Sequence, residues 1–188
     1  KQPMVHIQSI KVNKTPLFSL VPLNPLPFFA VSGGGGSSKS GIQNEVRLIS
    51  REWTDPKVDD TVAKIETGEG ICTSLTSLPL SPTSVLLFCV VGSTLLGYNL
   101  TMSSEELKIH VTKVVEVFIK GQGGEDIGCV ECIGCEKVET GGVVKIGTEK
   151  GYLLSYVVDV KLGGIEKVRV TLGRMTRPHD NISSVFVG

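Results

Sequence analysis

The chain has 188 residues, 40% hydrophobic and 20% charged, and its 19 lysines and arginines balance 19 aspartates and glutamates. That is the composition of a folded globular domain, and a net charge of zero supplies no basic field for DNA, RNA or an acidic membrane surface, so no nucleic-acid partner is expected. The longest apolar run, residues 85–91, falls far short of the ~20 residues that cross a bilayer.

The sequence opens at Lys1 without an initiator methionine or a signal-peptide pattern. Helical periodicity is scarce from there on. Short apolar or alternating runs recur instead, bounded by Gly, Pro, Ser and Asn, and they predict an all-β fold. Three passages share one layout: apolar strand, glycine turn, second strand. They are residues 27–33 with 45–50, residues 85–92 with 95–100, and residues 143–147 with 152–158. An apolar stretch precedes each pair, at 16–23, 71–80 and 127–133. A more polar strand follows each, at 62–66, 109–119 and 167–172.

About four strands per unit, repeated, is the pattern of β-propeller blades. The expected blades cover residues 14–67, 70–120 and 127–173 of a single domain, with a fourth starting at 179–188, where the sequence stops. The expectation is therefore the N-terminal part of a WD-repeat-like propeller, with a β-sandwich as the alternative of similar strand count. The units exceed the ~40–45 residues of standard WD repeats. The excess lies in polar linkers at 51–60, 101–106 and 121–126, and the single tryptophan, Trp53, falls in one of them. An unclosed propeller exposes a strand edge and half a core, which predicts poor solubility in isolation.

The most unusual loop joins the first strand pair: Gly33, Gly34, Gly35, Gly36, Ser37, Ser38, Lys39, Ser40, Gly41, Ile42, Gln43 and Asn44. Hairpin loops usually take two to five residues, and longer ones tend to carry function or to be disordered. Four glycines leave their carbonyls unobstructed, so Gly33, Gly34, Gly35 and Gly36 could present oxygens to a potassium ion. A flexible spacer has the same composition. A phosphate-binding G-x-x-x-x-G-K-[ST] loop would need glycine at Ser38 and a helix directly after, whereas a strand-like stretch follows here. Nucleotide hydrolysis is not expected, and the three histidines form no triad with a nucleophile.

From Thr15 through the apolar strand and the Gly-Ile-x-Asn of residues 41–44 to Val46, the chain resembles one family, the specific match covering about residues 16–49. These are the endoplasmic-reticulum WD-repeat propellers that exchange guanine nucleotide on the small GTPase of COPII coat assembly, called prolactin regulatory element-binding protein in animals. The resemblance implies a seven-bladed propeller on the cytosolic face of the endoplasmic reticulum and a potassium-stabilised loop on which a Ras-like GTPase docks. It implies a regulator rather than a covalent catalyst, with Asn44 as the exchange residue. Membrane attachment would come through a segment not present in this chain. Where a lysine or similar residue often follows the asparagine, this sequence has Glu45. Asn44 is expected to lie exposed in the loop, its amide replacing polar contacts of the GTPase. Antiparallel order puts the loop on the same face as the blade-connecting loops, one of which holds His179 and Asp180.

Five cysteines, three of them at Cys129, Cys132 and Cys135, do not read as a secreted disulfide framework and fit a reducing setting. The three Asn-x-Ser/Thr triplets, at Asn13, Asn99 and Asn181, read as turn or strand-end chemistry. The cysteine run resembles part of an iron–sulfur motif, but Glu139 stands where a fourth cysteine belongs. Zinc would need a further ligand, of which His110 is the nearest. Small buried thiols along an inner strand are the expected reading.

Overall fold

The computed structural model describes residues 15–37, 41–51, 61–103, 108–160 and 168–176. Among them, strands form three four-stranded antiparallel sheets, each a meander in chain order. The first holds β1 (Leu17–Pro22), β2 (Phe28–Gly33), β3 (Glu45–Ser50) and β4 (Thr61–Glu66). The second holds β5 (Cys72–Ser81), β6 (Ser84–Val91), β7 (Thr94–Met102) and β8 (Ile109–Phe118). The third holds β9 (Val130–Val138), β10 (Gly141–Thr148), β11 (Leu153–Val160) and β12 (Val168–Thr176).

The sheets stack in sequence. β5 packs against β1 on one side and β9 on the other, so the first strand of each sheet lies innermost. Serines stitch β1 to β5 across the first seam: the Leu75 amide donates to Ser19 Oγ at 3.1 Å and Ser77 Oγ donates to the Pro22 carbonyl at 2.9 Å. Three sheets in series, joined through their inner strands, are blades around an axis and not the two facing layers of a sandwich.

Two apolar clusters hold the stack. The one between the first and second sheets contains Leu26, Ala30, Val46 and Leu48 together with Val85, Leu87 and Cys89. The one between the second and third contains Leu86, Phe88 and Val90 together with Val144, Ile146, Leu154 and Tyr156. β6 thus sends alternate side chains into both clusters. This is why residues 85–91 read as an unbroken apolar run and not as an alternating one. Phe88 is wholly buried, and its truncation to alanine should cost about 3–5 kcal/mol.

Strand limits differ most from the sequence expectation in the third sheet. Its inner strand, expected at 127–133, begins at Val130. The cause is local: Asp126 Oδ1 accepts the Gly128 amide at 3.1 Å, a turn that competes with the ladder. Ile127 nonetheless stays buried in the second cluster. The outer strand expected at 167–172 runs instead over Val168–Thr176. The linker at 121–126 contains a 3-10 turn at Gln122–Gly124. Trp53, His6, His179, Asp180 and the expected fourth unit at 179–188 lie outside the described residues.

Candidate functional site

The glycine loop springs from the end of β2 and returns into β3. Gly33 belongs to the sheet, opposite Leu17 on one side and Glu45 on the other. The loop then closes on itself. The Gly34 amide donates to the Pro16 carbonyl at 3.2 Å, and the Gly35 amide to the Ile42 carbonyl at 3.3 Å. β3 follows at once, the strand that the sequence led one to expect there, and among the described residues no helix N-terminus faces the loop.

Asn44 is the centre of this arrangement, and it is only 4% exposed. Its Oδ1 accepts the Gly36 amide at 2.9 Å. Its Nδ2 donates to the Gly36 carbonyl at 3.2 Å and to the Gly68 carbonyl at 3.1 Å. Its backbone carbonyl accepts the Thr67 amide at 3.1 Å. The expectation of an exposed Asn44 is therefore corrected: both amide protons and the oxygen are engaged within the chain. The physical reason is that a loop crossing glycines leaves backbone N–H and C=O groups unpaired, and a short neutral amide can satisfy a donor and an acceptor at once. Gly34 makes room for it. With φ of +154°, a Cβ there would lie 2.2 Å from Asn44 Oδ1.

The structure also joins to the loop a turn that the sequence did not flag. Residues 67–71 connect the first sheet to the second; Thr67 Oγ1 donates to the Gly70 carbonyl at 2.7 Å, and Ile71 packs beneath Gly36. The signal was present in the run Thr67-Gly-Glu-Gly70, which is turn chemistry, but nothing in sequence ties it to residue 44. On the surface of the combined element stand Ser37, Gly41, Gln43, Gly68 and Glu69, all exposed. Ser38, Lys39 and Ser40 lie outside the described residues.

Glu45 is buried in an ion pair with Arg47, and Lys64 stands 3.9 Å from its other oxygen. These charges and residues 41–43 bound an open groove of about 400 Å³. Antiparallel order brings the turns at 92–93, 119–129 and 149–152 to the same end of the stack as the loop. At that end the exposed carboxylates Glu66, Glu69, Glu125, Asp126 and Glu149 outnumber the exposed ammonium groups Lys64, Lys120 and Lys150 among the described residues. An acidic end disfavours capture of a free phosphate and suits a basic or neutral protein surface.

The cysteine run does not converge. Cys132 and Cys135 are three residues apart on β9 and so face opposite sides of the sheet, each only partly buried, while Cys129 lies exposed in the preceding loop; the expectation of buried thiols is corrected, because the strand starts only at Val130. Burial pushes the Cys135 thiol up to about 12 and raises Cys132 as well, so neither is an activated thiolate. Among the described residues no group of three or more His, Cys, Asp or Glu side chains is placed to hold a metal ion. A second thiol pair had no signal in sequence: Cys72 and Cys89, on neighbouring strands, are both wholly buried in the first cluster. The adjoining Cys72 thiol and burial push Cys89 far above the ordinary range.

Stacked four-stranded meanders joined through their inner strands define a WD40-like β-propeller, here part of one. The likeness extends to solved structures of Sqt1 from Chaetomium thermophilum, at 10% sequence identity. One matches with a TM-score of 0.63 over 90% of this chain and 38% of that one. A second, Sqt1 bound to the N-terminus of the ribosomal protein L10, matches with a TM-score of 0.64 over 92% of this chain and 40% of that one. The chain thus spans about two fifths of the Sqt1 chains it matches. No protein-family model and no curated protein matches the sequence.

Proposed function

We propose that this chain is part of a propeller that works by binding another protein at its glycine-loop end. More specifically, the partner is the small Ras-like GTPase of COPII vesicle formation, on which the protein promotes guanine-nucleotide exchange. The observation that carries the reading is the 33–44 loop. Its four glycines and its Gly-Ile-x-Asn are the elements the resemblance singles out, and in the structure Asn44 holds Gly36 in place. The acidic surroundings of the loop support a protein partner over a free nucleotide.

An exchange factor forms no covalent bond. It binds the nucleotide-free GTPase more tightly than the loaded one, and by reciprocity GTP loading weakens its own grip. A loop ordered in advance serves this, because little conformational entropy is lost on docking. Potassium belongs to the same proposal. The carbonyls of Gly33, Gly34, Gly35 and Gly36 are neutral oxygen donors suited to a large hard cation, and the Gly36 carbonyl that takes Asn44 Nδ2 has a second lone pair. Such an ion would stiffen the loop. The setting is the cytosolic face of the endoplasmic reticulum, with membrane attachment through a segment outside this chain.

The test is release of a fluorescent GDP analogue from the purified GTPase. Acceleration of at least about tenfold, equivalent to 1.4 kcal/mol, supports exchange. Normal binding of the GTPase without acceleration leaves a WD-like scaffold, and absence of both removes the GTPase as partner.

A further inference from the structure

We infer that Asn44 is a positioning residue, a latch, and that the surface offered to the partner is the composite ridge it holds together. Gln43 and Ser37 of the loop and Glu69 of the 67–71 turn make that ridge. The inference rests on the loop being the docking surface, and it changes which residues touch the partner. Three observations lead to it. Asn44 is 4% exposed, too little to reach across an interface without leaving its place. Its Oδ1 and Nδ2 make three side-chain hydrogen bonds, two to Gly36 and one to Gly68, so its amide already spans the loop and the turn. The residues beside these contacts, Gln43 and Glu69, point their exposure outward.

Were Asn44 to turn toward a partner instead, Gly36 would lose a bond to its amide and another to its carbonyl. Gly68 would lose its bond as well, all before any gain from the partner. Holding the turn against the loop makes two separate chain segments present one shape. It also brings Glu69 of the acidic end beside the loop, where it would meet a basic or amide-bearing surface of the GTPase.

The experiment compares Asn44→Ala, Asn44→Asp, Gln43→Ala and Glu69→Arg in the full chain. Two readouts are taken: hydrogen exchange of the Gly36 amide without partner, and the rate of GDP release with it. Asn44→Ala should speed Gly36 exchange by about tenfold, as loss of one to two net hydrogen bonds would, and cut GDP release in proportion. Asn44→Asp keeps the acceptor but sets a carboxylate against the Gly36 and Gly68 carbonyls. Its loop should open at neutral pH and close again at acid pH as the carboxyl, ordinarily near ~3.9, takes a proton and becomes a donor. Gln43→Ala and Glu69→Arg should leave Gly36 protection intact while slowing GDP release several-fold.

If Asn44→Ala abolishes acceleration with Gly36 still protected, Asn44 touches the GTPase directly and the latch is wrong. If Gln43→Ala and Glu69→Arg both act like wild type, the ridge is wrong. If wild type itself does not accelerate GDP release, the exchange reading fails, and the latch then stands or falls on Gly36 protection alone.

Discussion

Two glycines of one loop should respond to the same substitution very differently. At Gly34 the backbone has φ of +154°, and an added Cβ would lie 2.2 Å from Asn44 Oδ1 and 2.8 Å from Asn44 Cα. A backbone atom cannot swing aside, so Gly34→Ala has to displace Asn44 and with it the bonds to Gly36 and Gly68. An unfavourable φ costs an alanine about 1–2 kcal/mol. Two or three lost hydrogen bonds cost about 1 kcal/mol each, for a total of roughly 3–5 kcal/mol. Gly41 also has a left-handed φ, +72°, but nothing lies within 4 Å of its added Cβ. Gly41→Ala therefore carries only the backbone term of about 1–2 kcal/mol. Urea denaturation of the two variants should separate them by about 2–3 kcal/mol at a shared m-value, or by several degrees in Tm. Equal losses would mean that Asn44 is not seated against Gly34 and would undo the latch geometry.

Replacing potassium with lithium should hasten proteolysis of the 33–44 loop, because an ion that binds only the folded loop stabilises it in proportion to its occupancy; identical cleavage in both salts removes the ion from the proposal. Thiol alkylation under native conditions should modify Cys129 first, with Cys135 slow because burial holds its thiol at about 12. Labelling of the buried Cys72 or Cys89 as fast as Cys129 would contradict the first cluster. Lys150, with the Gly128 amide, holds the Asp126 carboxyl below its ordinary range. A depressed carboxylate contributes stability above its unfolded pKa, near ~3.9, and loses it as pH falls through the lower folded value. The link from residue 126 to residue 150 should accordingly persist at pH 5 and open only below about pH 4, with an Asp126 side-chain titration by NMR giving the midpoint. A midpoint above the ordinary value would reverse the sign.

Strand positions were legible wherever two apolar faces or a clean alternation reached the surface of the sequence. β3 matches its expected span of residues 45–50, and the apolar run of β6 follows from its place between two clusters. The start of β9 was not legible, since an apolar residue at 127 looks like strand even when Asp126 has tied the next amide into a turn. The loop was legible as an anomaly of length and glycine content. The task of Asn44 was not, because its partner Gly68 lies 24 residues away on another connection. A motif can mark a residue as important without revealing whether it faces outward or inward. The cysteine run was read as buried thiols on a strand at 127–133, whereas β9 runs over Val130–Val138 and alternation along it sets Cys132 and Cys135 on opposite faces.

The two-sided burial of β6 bears on how this molecule comes apart. In many repeat proteins each unit contributes its own increment and the array can fray from either end. Here Val85, Leu87 and Cys89 share a backbone with Leu86, Phe88 and Val90, so one strand belongs to both seams. A shift that loosens one row necessarily moves the other. The three sheets are thereby bound into one cooperative unit, and opening at either seam is a step toward global unfolding rather than local peeling.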